Sequence, residues 1–97
     1  MNLSGFHPEA RAEFLAAVAY YTERDTDLAA GFILEVERGA NLARTEPQSG
    51  NPVAPGVRRI ILRRFPYAVL FRGSAGVEVI AVAHHRRRPG YWMRRIA

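Results

Sequence analysis

Three apolar, β-branched runs lie so close together in the second half of this chain that they have few ways to pair. Val57 to Arg64, Tyr67 to Arg72 and Val77 to His84 read as strands. Phe65-Pro66 breaks the first from the second, and Gly73-Ser74-Ala75-Gly76 is a hairpin turn into the third. Parallel strands need a crossover of about a dozen residues or more, so these strands must run antiparallel. The first half has a different period. Ala10, Phe14, Ala17, Val18 and Tyr21 recur at helical spacing behind Pro8, which suits a first helical turn with Glu9 near the positive end of the helix dipole. Arg24-Asp25-Thr26-Asp27 interrupts the pattern and offers Asp25 or Thr26 as an N-cap. Ala29, Phe32, Ile33, Val36, Ala40 and Ala43 then line one side of a second helix, which Pro47 ends. The short link makes the two helices an antiparallel hairpin.

Leu3 to His7 reads as a short edge strand, and Gln48 to Gly56, with its Pro, Gly, Ser and Asn, as a loop. The expected fold class is α+β: a helical hairpin packed on one face of a small, mainly antiparallel sheet. A chain of 97 residues makes one domain, 1–97, whose last part, 85–97, is a basic aromatic tail.

Charge divides the chain as the periodicity does. The net charge is +5, and every basic residue is Arg. Glu9, Glu13, Glu23, Asp25, Asp27, Glu35, Glu37 and Glu46 precede Pro47; beyond it only Glu78 is acidic, against ten arginines. The C-terminal half is therefore electropositive and suited to anionic partners. Arg keeps its charge at any relevant pH, so a general base here must be His, Glu, Asp or Tyr. Without Cys there is neither a disulfide framework nor a thiol nucleophile. The longest apolar run, Phe14 to Tyr21, is far short of the ~20 residues that cross a bilayer. No basic segment followed by an apolar core opens the chain. The expectation is a cytoplasmic protein with no membrane partner.

The tail His84 to Ala97 gathers five arginines, two histidines, Tyr91 and Trp92, the only tryptophan. Guanidinium groups grip phosphate or carboxylate in a bidentate way, and nearby rings stack on bases or fill a partner's pocket. Trp92 either makes such a contact or closes the bottom of the core. Arg58 and Arg59 are neighbours in a strand and point to opposite faces, as do Arg63 and Arg64. The outward members, with Arg72, would form a basic stripe. The candidate target- or nucleic-acid-binding set is Arg59, Arg63, Arg72, Arg86, Arg87, Arg88 and Trp92. His84 and His85 are acid–base candidates, since an unperturbed His titrates near pH ~6.5. No metal site is expected: Cys is absent, His7 is remote and no H-x-x-x-H spacing occurs. No phosphate-cradling glycine loop or nucleophile elbow occurs either, and no cofactor is expected. One carboxylate in the basic half argues against a metal-dependent nuclease.

Several phrases together resemble a known family. They are Phe6-His7-Pro8-Glu9-Ala10, the Tyr20-Tyr21 pair, Val57-Arg58-Arg59-Ile60-Ile61-Leu62-Arg63-Arg64-Phe65-Pro66-Tyr67, and Val82-Ala83-His84-His85-Arg86-Arg87-Arg88-Pro89-Gly90-Tyr91-Trp92. In order and spacing they resemble the RelE/ParE superfamily of toxins from bacterial type II toxin–antitoxin systems, often labelled plasmid stabilisation proteins. The resemblance covers about residues 5 to 92. It implies a β-α-α-β-β-β fold, growth arrest, and neutralisation by a cognate antitoxin whose flexible, often acidic segment wraps the toxin.

The superfamily divides by mechanism. RelE-like members cleave mRNA on the ribosome without metal, whereas ParE-like members poison DNA gyrase. The RelE-like pattern places an Arg after the Tyr of the third strand and two Lys at alternate positions before it. Here those positions are Ala68, Arg59 and Ile61. Tyr91 matches a tail Tyr, Arg87 a basic tail position, and His85 stands where the tail catalytic Arg would be. Arg72 is shared with ParE-like members, as is the long helical hairpin. The resemblance thus implies a ParE-like inhibitor of DNA gyrase. One alternative is a RelE-like, ribosome-dependent mRNA endoribonuclease with His85, Arg87 and Tyr91 as catalytic candidates, the only reading that makes the chain an enzyme. The other is a non-toxic or decayed domain that binds nucleic acid or protein.

Overall fold

One residue, Asp25, makes the helical hairpin tight. Helix α1 spans Pro8–Arg24 and α2 spans Thr26–Thr45. The backbone N–H of Asp25 closes α1 on the Tyr21 carbonyl at 2.9 Å, and its side chain accepts from the Asp27 N–H at 2.8 Å as the N-cap of α2. At the other end, Pro8 takes the first helical position while His7 Nδ1 accepts from the Glu9 N–H at 3.0 Å. The computed structural model describes residues 2–96; Met1 and Ala97, the two ends of the expected domain and tail, lie outside them.

The strands are β1 (Asn51–Ala54), β2 (Val57–Ile61), β3 (Tyr67–Arg72) and β4 (Glu78–His84), paired antiparallel in the order β1-β2-β3-β4. The α+β expectation therefore holds: a helical hairpin lies on one face of a mainly antiparallel sheet. Two details differ. Leu3 to His7 is not a strand; only Phe6 pairs, as a parallel bridge to Val79. Gly5 has φ +85° and α1 begins at Pro8, so the backbone leaves the sheet after one residue. The expected loop instead contains β1. Gly50, at φ +77°, turns the chain onto β2 at a place where a Cβ would collide with the Arg59 carbonyl oxygen. Pro52 is tolerated because β1 is an edge strand with a register shift beside it. Strand β2 also stops at Ile61, because the Glu35 carboxylate takes the N–H groups of Arg63 (2.9 Å) and Arg64 (3.3 Å).

Packing produces two cores. The main one lies between helices and sheet, with Ala10, Phe14, Ala17, Tyr21, Ala29, Phe32, Val36 and Ala40 against Phe65, Val69, Val79 and Val82. These are the helix faces read from the sequence, except that Val18 and Ile33 are half-buried. The second core occupies the opposite face of the sheet: Val57, Ala68, Leu70, Ile80, Ala81 and Trp92. A bulge between Leu70 and Phe71 lets Ile80 and Ala81 both serve this side, while Val79 and Val82 face the helices. The tail thus folds back as a cover over the sheet. Among the described residues, no helix is long and apolar enough to cross a membrane.

Candidate functional site

The tail is positioned by its own turns and by α1. After β4, His84 Nδ1 accepts from the Arg86 N–H (3.0 Å) and the His84 carbonyl from the Arg87 N–H (3.0 Å), which reverses the chain. Gly90, at φ +77°, turns it again and places Trp92, 5% exposed, in the second core. A 3-10 turn, Met93–Arg95, then carries two arginines onto α1. Arg94 donates to both oxygens of Glu9, at 2.8 and 2.6 Å. Arg95 donates to both oxygens of Glu13, each at 2.9 Å, and to the Ile80 carbonyl at 2.9 Å. The hydroxyl of Tyr91 donates to Glu13 Oε2 at 2.6 Å. Bidentate guanidinium–carboxylate pairing is a strong, geometrically selective contact.

Between this cover and the sheet lies a cleft of about 440 Å³. Ala68 and Leu70 are at its apolar base; Arg59, His84, His85, Arg87 and Arg88 bring polar and charged groups to its walls. No carboxylate lines it among the described residues. Arg59 Nε is buried there without a hydrogen-bond partner among the described residues. An unpaired buried N–H costs about 1–3 kcal/mol, more when charged, and an anion in the cleft would remove that cost. Arg87 stacks its guanidinium 3.8 Å from the centre of the Tyr91 ring. His84 is held below the ordinary histidine value by burial, then by the charges of Arg86 and His85, so it is neutral near pH 7.

Arg59, His85, Arg87, Arg88, Tyr91 and Trp92 therefore come together, as far apart as they are in sequence. Arg63 and Arg72 do not join them. Arg63 sits beside Arg38 and Ile60 on the helix side of the sheet. Arg72 pairs with Glu78 across the β3–β4 hairpin at 2.9 Å. Arg86 is exposed and outside the cleft lining. Trp92 plugs the second core, so it anchors the cover instead of offering a free ring to a partner. Burial first, and then its bond to Glu13, push the Tyr91 phenol far above its ordinary range. That makes it a strut, poorly suited to exchanging protons. The sequence reading assigns none of Glu9, Glu13 and Arg95 to the site, and gives Glu9 only a place at the start of the first helix. The i, i+4 spacing of the two acids is visible there, but their partners are not. No three His, Cys, Asp or Glu side chains gather as metal ligands would among the described residues.

Comparison with known proteins bears on this geometry. The family model described as ParE toxin of type II toxin-antitoxin system, parDE, matches residues 5–89. Among solved structures, one described as the chromosomal ParDE TA system from P. aeruginosa contains a similar chain. The two share 21% identity at a TM-score of 0.66, over 81% of this chain and 90% of that one. At this identity the likeness is one of fold. Curated proteins give no match.

Proposed function

The chain belongs to the ParE toxin family of type II toxin–antitoxin systems, and from that membership we propose that it arrests growth by binding and inhibiting DNA gyrase. On this reading it cuts no nucleic acid, acts in the cytoplasm, and is neutralised by a cognate antitoxin. The observation that carries the binding reading is the state of Tyr91. Its phenol is committed to Glu13 and its proton is held far more tightly than in water. A group held in that way does not take a proton from a ribose hydroxyl near neutral pH. Two further positions that the ribonuclease reading would charge, Ile61 and Ala68, are apolar. What the cleft offers is a positive field and the unpaired Arg59 Nε. That equipment holds an anionic group of the target in place; it does not turn one over.

The test is to induce the protein alone in bacteria and follow DNA and protein synthesis by pulse labelling, with a gyrase supercoiling assay on purified protein. An early fall in DNA synthesis together with inhibited supercoiling is expected. An early fall in protein synthesis with cut mRNA would replace this reading with the ribosome-dependent one. Changing Arg86, Arg87 and Arg88 together to Ala should abolish toxicity while the fold persists.

A further inference from the structure

A smaller hollow, of about 320 Å³, opens beside the cleft where α1 meets the end of β4. His84 and Arg87 line both. Glu13, Ala16, Tyr20 and Tyr67 complete most of the hollow's wall. Three flat rings therefore border it. The fold has no use of its own for the first of them: Tyr21 fills the main core, while its neighbour Tyr20 is 50% exposed.

Each ring is held in place. Arg24, one turn further along α1, lays its guanidinium 3.5 Å from the centre of the Tyr20 ring and donates to the Tyr20 carbonyl at 3.2 Å. Arg24 does not line the hollow, so it steadies the ring without filling the site. Tyr67 packs edge-to-face on Phe32 and on His84, with centroids 5.1 and 5.0 Å away. The Nδ1 of neutral His84 accepts from the Arg86 N–H, so the ring's proton sits on Nε2. That N–H has no hydrogen-bond partner among the described residues. The hollow's carboxylate, Glu13, is committed to Arg95, to the Tyr91 hydroxyl and to the Val82 N–H, with Arg87 3.7 Å away.

We propose that this hollow takes an unstacked base of single-stranded DNA, whose adjoining phosphate lies in the cleft. The inference rests on the gyrase reading above, which brings the protein to DNA. The juxtaposition selects the ligand. Each unit of a single strand carries a ring and a phosphate; here a ring-lined hollow adjoins a basic cleft that no carboxylate lines among the described residues. A duplex keeps its bases stacked and offers phosphate alone. An acidic peptide would use the arginines and leave the rings idle. Stacking asks only for a π face, so the hollow should accept any base with modest preference.

The probe is a fluorescent single-stranded deoxyoligonucleotide of about ten nucleotides, titrated against the full-length protein by anisotropy. Tyr20→Leu removes the ring and should weaken binding about fivefold or more, whereas Tyr20→Phe keeps the ring and should stay within about twofold. The duplex of the same sequence should bind more weakly than the strand. Equal binding by Tyr20→Leu and wild type, or by strand and duplex, overturns the proposal. Tighter binding of the matching RNA strand overturns DNA as the ligand. Should Tyr20→Leu melt below wild type, an iododeoxyuridine strand crosslinked to wild type decides: adducts on Tyr20, Tyr67 or His84 support the hollow, and adducts only elsewhere overturn it. None of these readouts contains gyrase. If wild type inhibits supercoiling but binds no strand, the base site falls and the gyrase reading stands. If it binds the strand through Tyr20 and leaves supercoiling untouched, the gyrase reading falls and the base site stands.

Discussion

Glu13 and Arg95, 82 positions apart in the chain, meet through two parallel hydrogen bonds of 2.9 Å. Their side chains are 14% and 3% exposed. The same carboxylate accepts from the Val82 N–H at 3.0 Å and from the Tyr91 hydroxyl, while the guanidinium reaches the Ile80 carbonyl. One ion pair thus ties α1, the outer side of β4 and the tail into a unit. The cover over the cleft depends on it.

Arg95→Met should cost about 3–5 kcal/mol of stability, because it strands a largely buried carboxylate. Urea unfolding followed by circular dichroism measures this. A loss below about 1 kcal/mol would mean that water or another group satisfies Glu13 without Arg95.

Tyr91→Phe separates strut from catalyst. It removes one hydrogen bond to a charged group, worth about 1.5–3 kcal/mol. The variant should unfold at lower urea yet still arrest growth at a temperature where it is folded. Full loss of toxicity in a folded Tyr91→Phe protein would restore a chemical role for the phenol.

The cleft predicts a trade between binding and stability at Arg59. Arg59→Met removes the unpaired buried Nε, so the protein should be as stable as wild type or slightly more so. Its affinity for an anionic oligonucleotide should fall, with the slope of log K against log salt shrinking by about 1. Fluorescence anisotropy at several salt concentrations gives that slope, and an unchanged slope would place the anion elsewhere.

Glu35 sets an acid limit on the fold. Its folded-state pKa lies below the ordinary 4.5, so the stability it contributes is fully present above that value. The contribution is lost as pH falls through the folded pKa, since the unfolded chain binds the proton first. Glu35→Gln should be less stable than wild type at pH 6, and the gap should close as pH drops below about 4.5. Melting curves across pH 3–6 check this; parallel profiles for the two proteins would contradict it.

How much of this could be read from residues alone depends on how local the cause was. Strand β3 runs from Tyr67 to Arg72 as its residues suggested, because Pro66 and the Gly73 turn fix both ends. Strand β1 escaped notice because it is four residues long and contains Pro52, and because its pairing follows from the Gly50 turn and not from any period of its own. The basic side of the cleft was legible in Arg59, His85, Arg87 and Arg88, since charge and strand alternation are local properties. Glu13 was not, because nothing near it in the chain announces a partner in the tail. Trp92 carried two readings, and burial decides for the core.

The outer side of β4 is occupied along much of its length: Gly5 and His7 bridge Val79, Arg95 takes the Ile80 carbonyl, and Glu13 takes the Val82 N–H. The opposite margin, β1, is short and contains a proline. A sheet finished in this way gives a second copy little ladder on which to template itself, which guards the chain against edge-to-edge association. The guard is also late. Arg95 is synthesised after every strand it protects, so a nascent or clipped chain ending before it would present β4 partly bare. Proteolysis at the tail would then do more than uncover the cleft; it would leave unpaired ladder groups of β4 open to another chain.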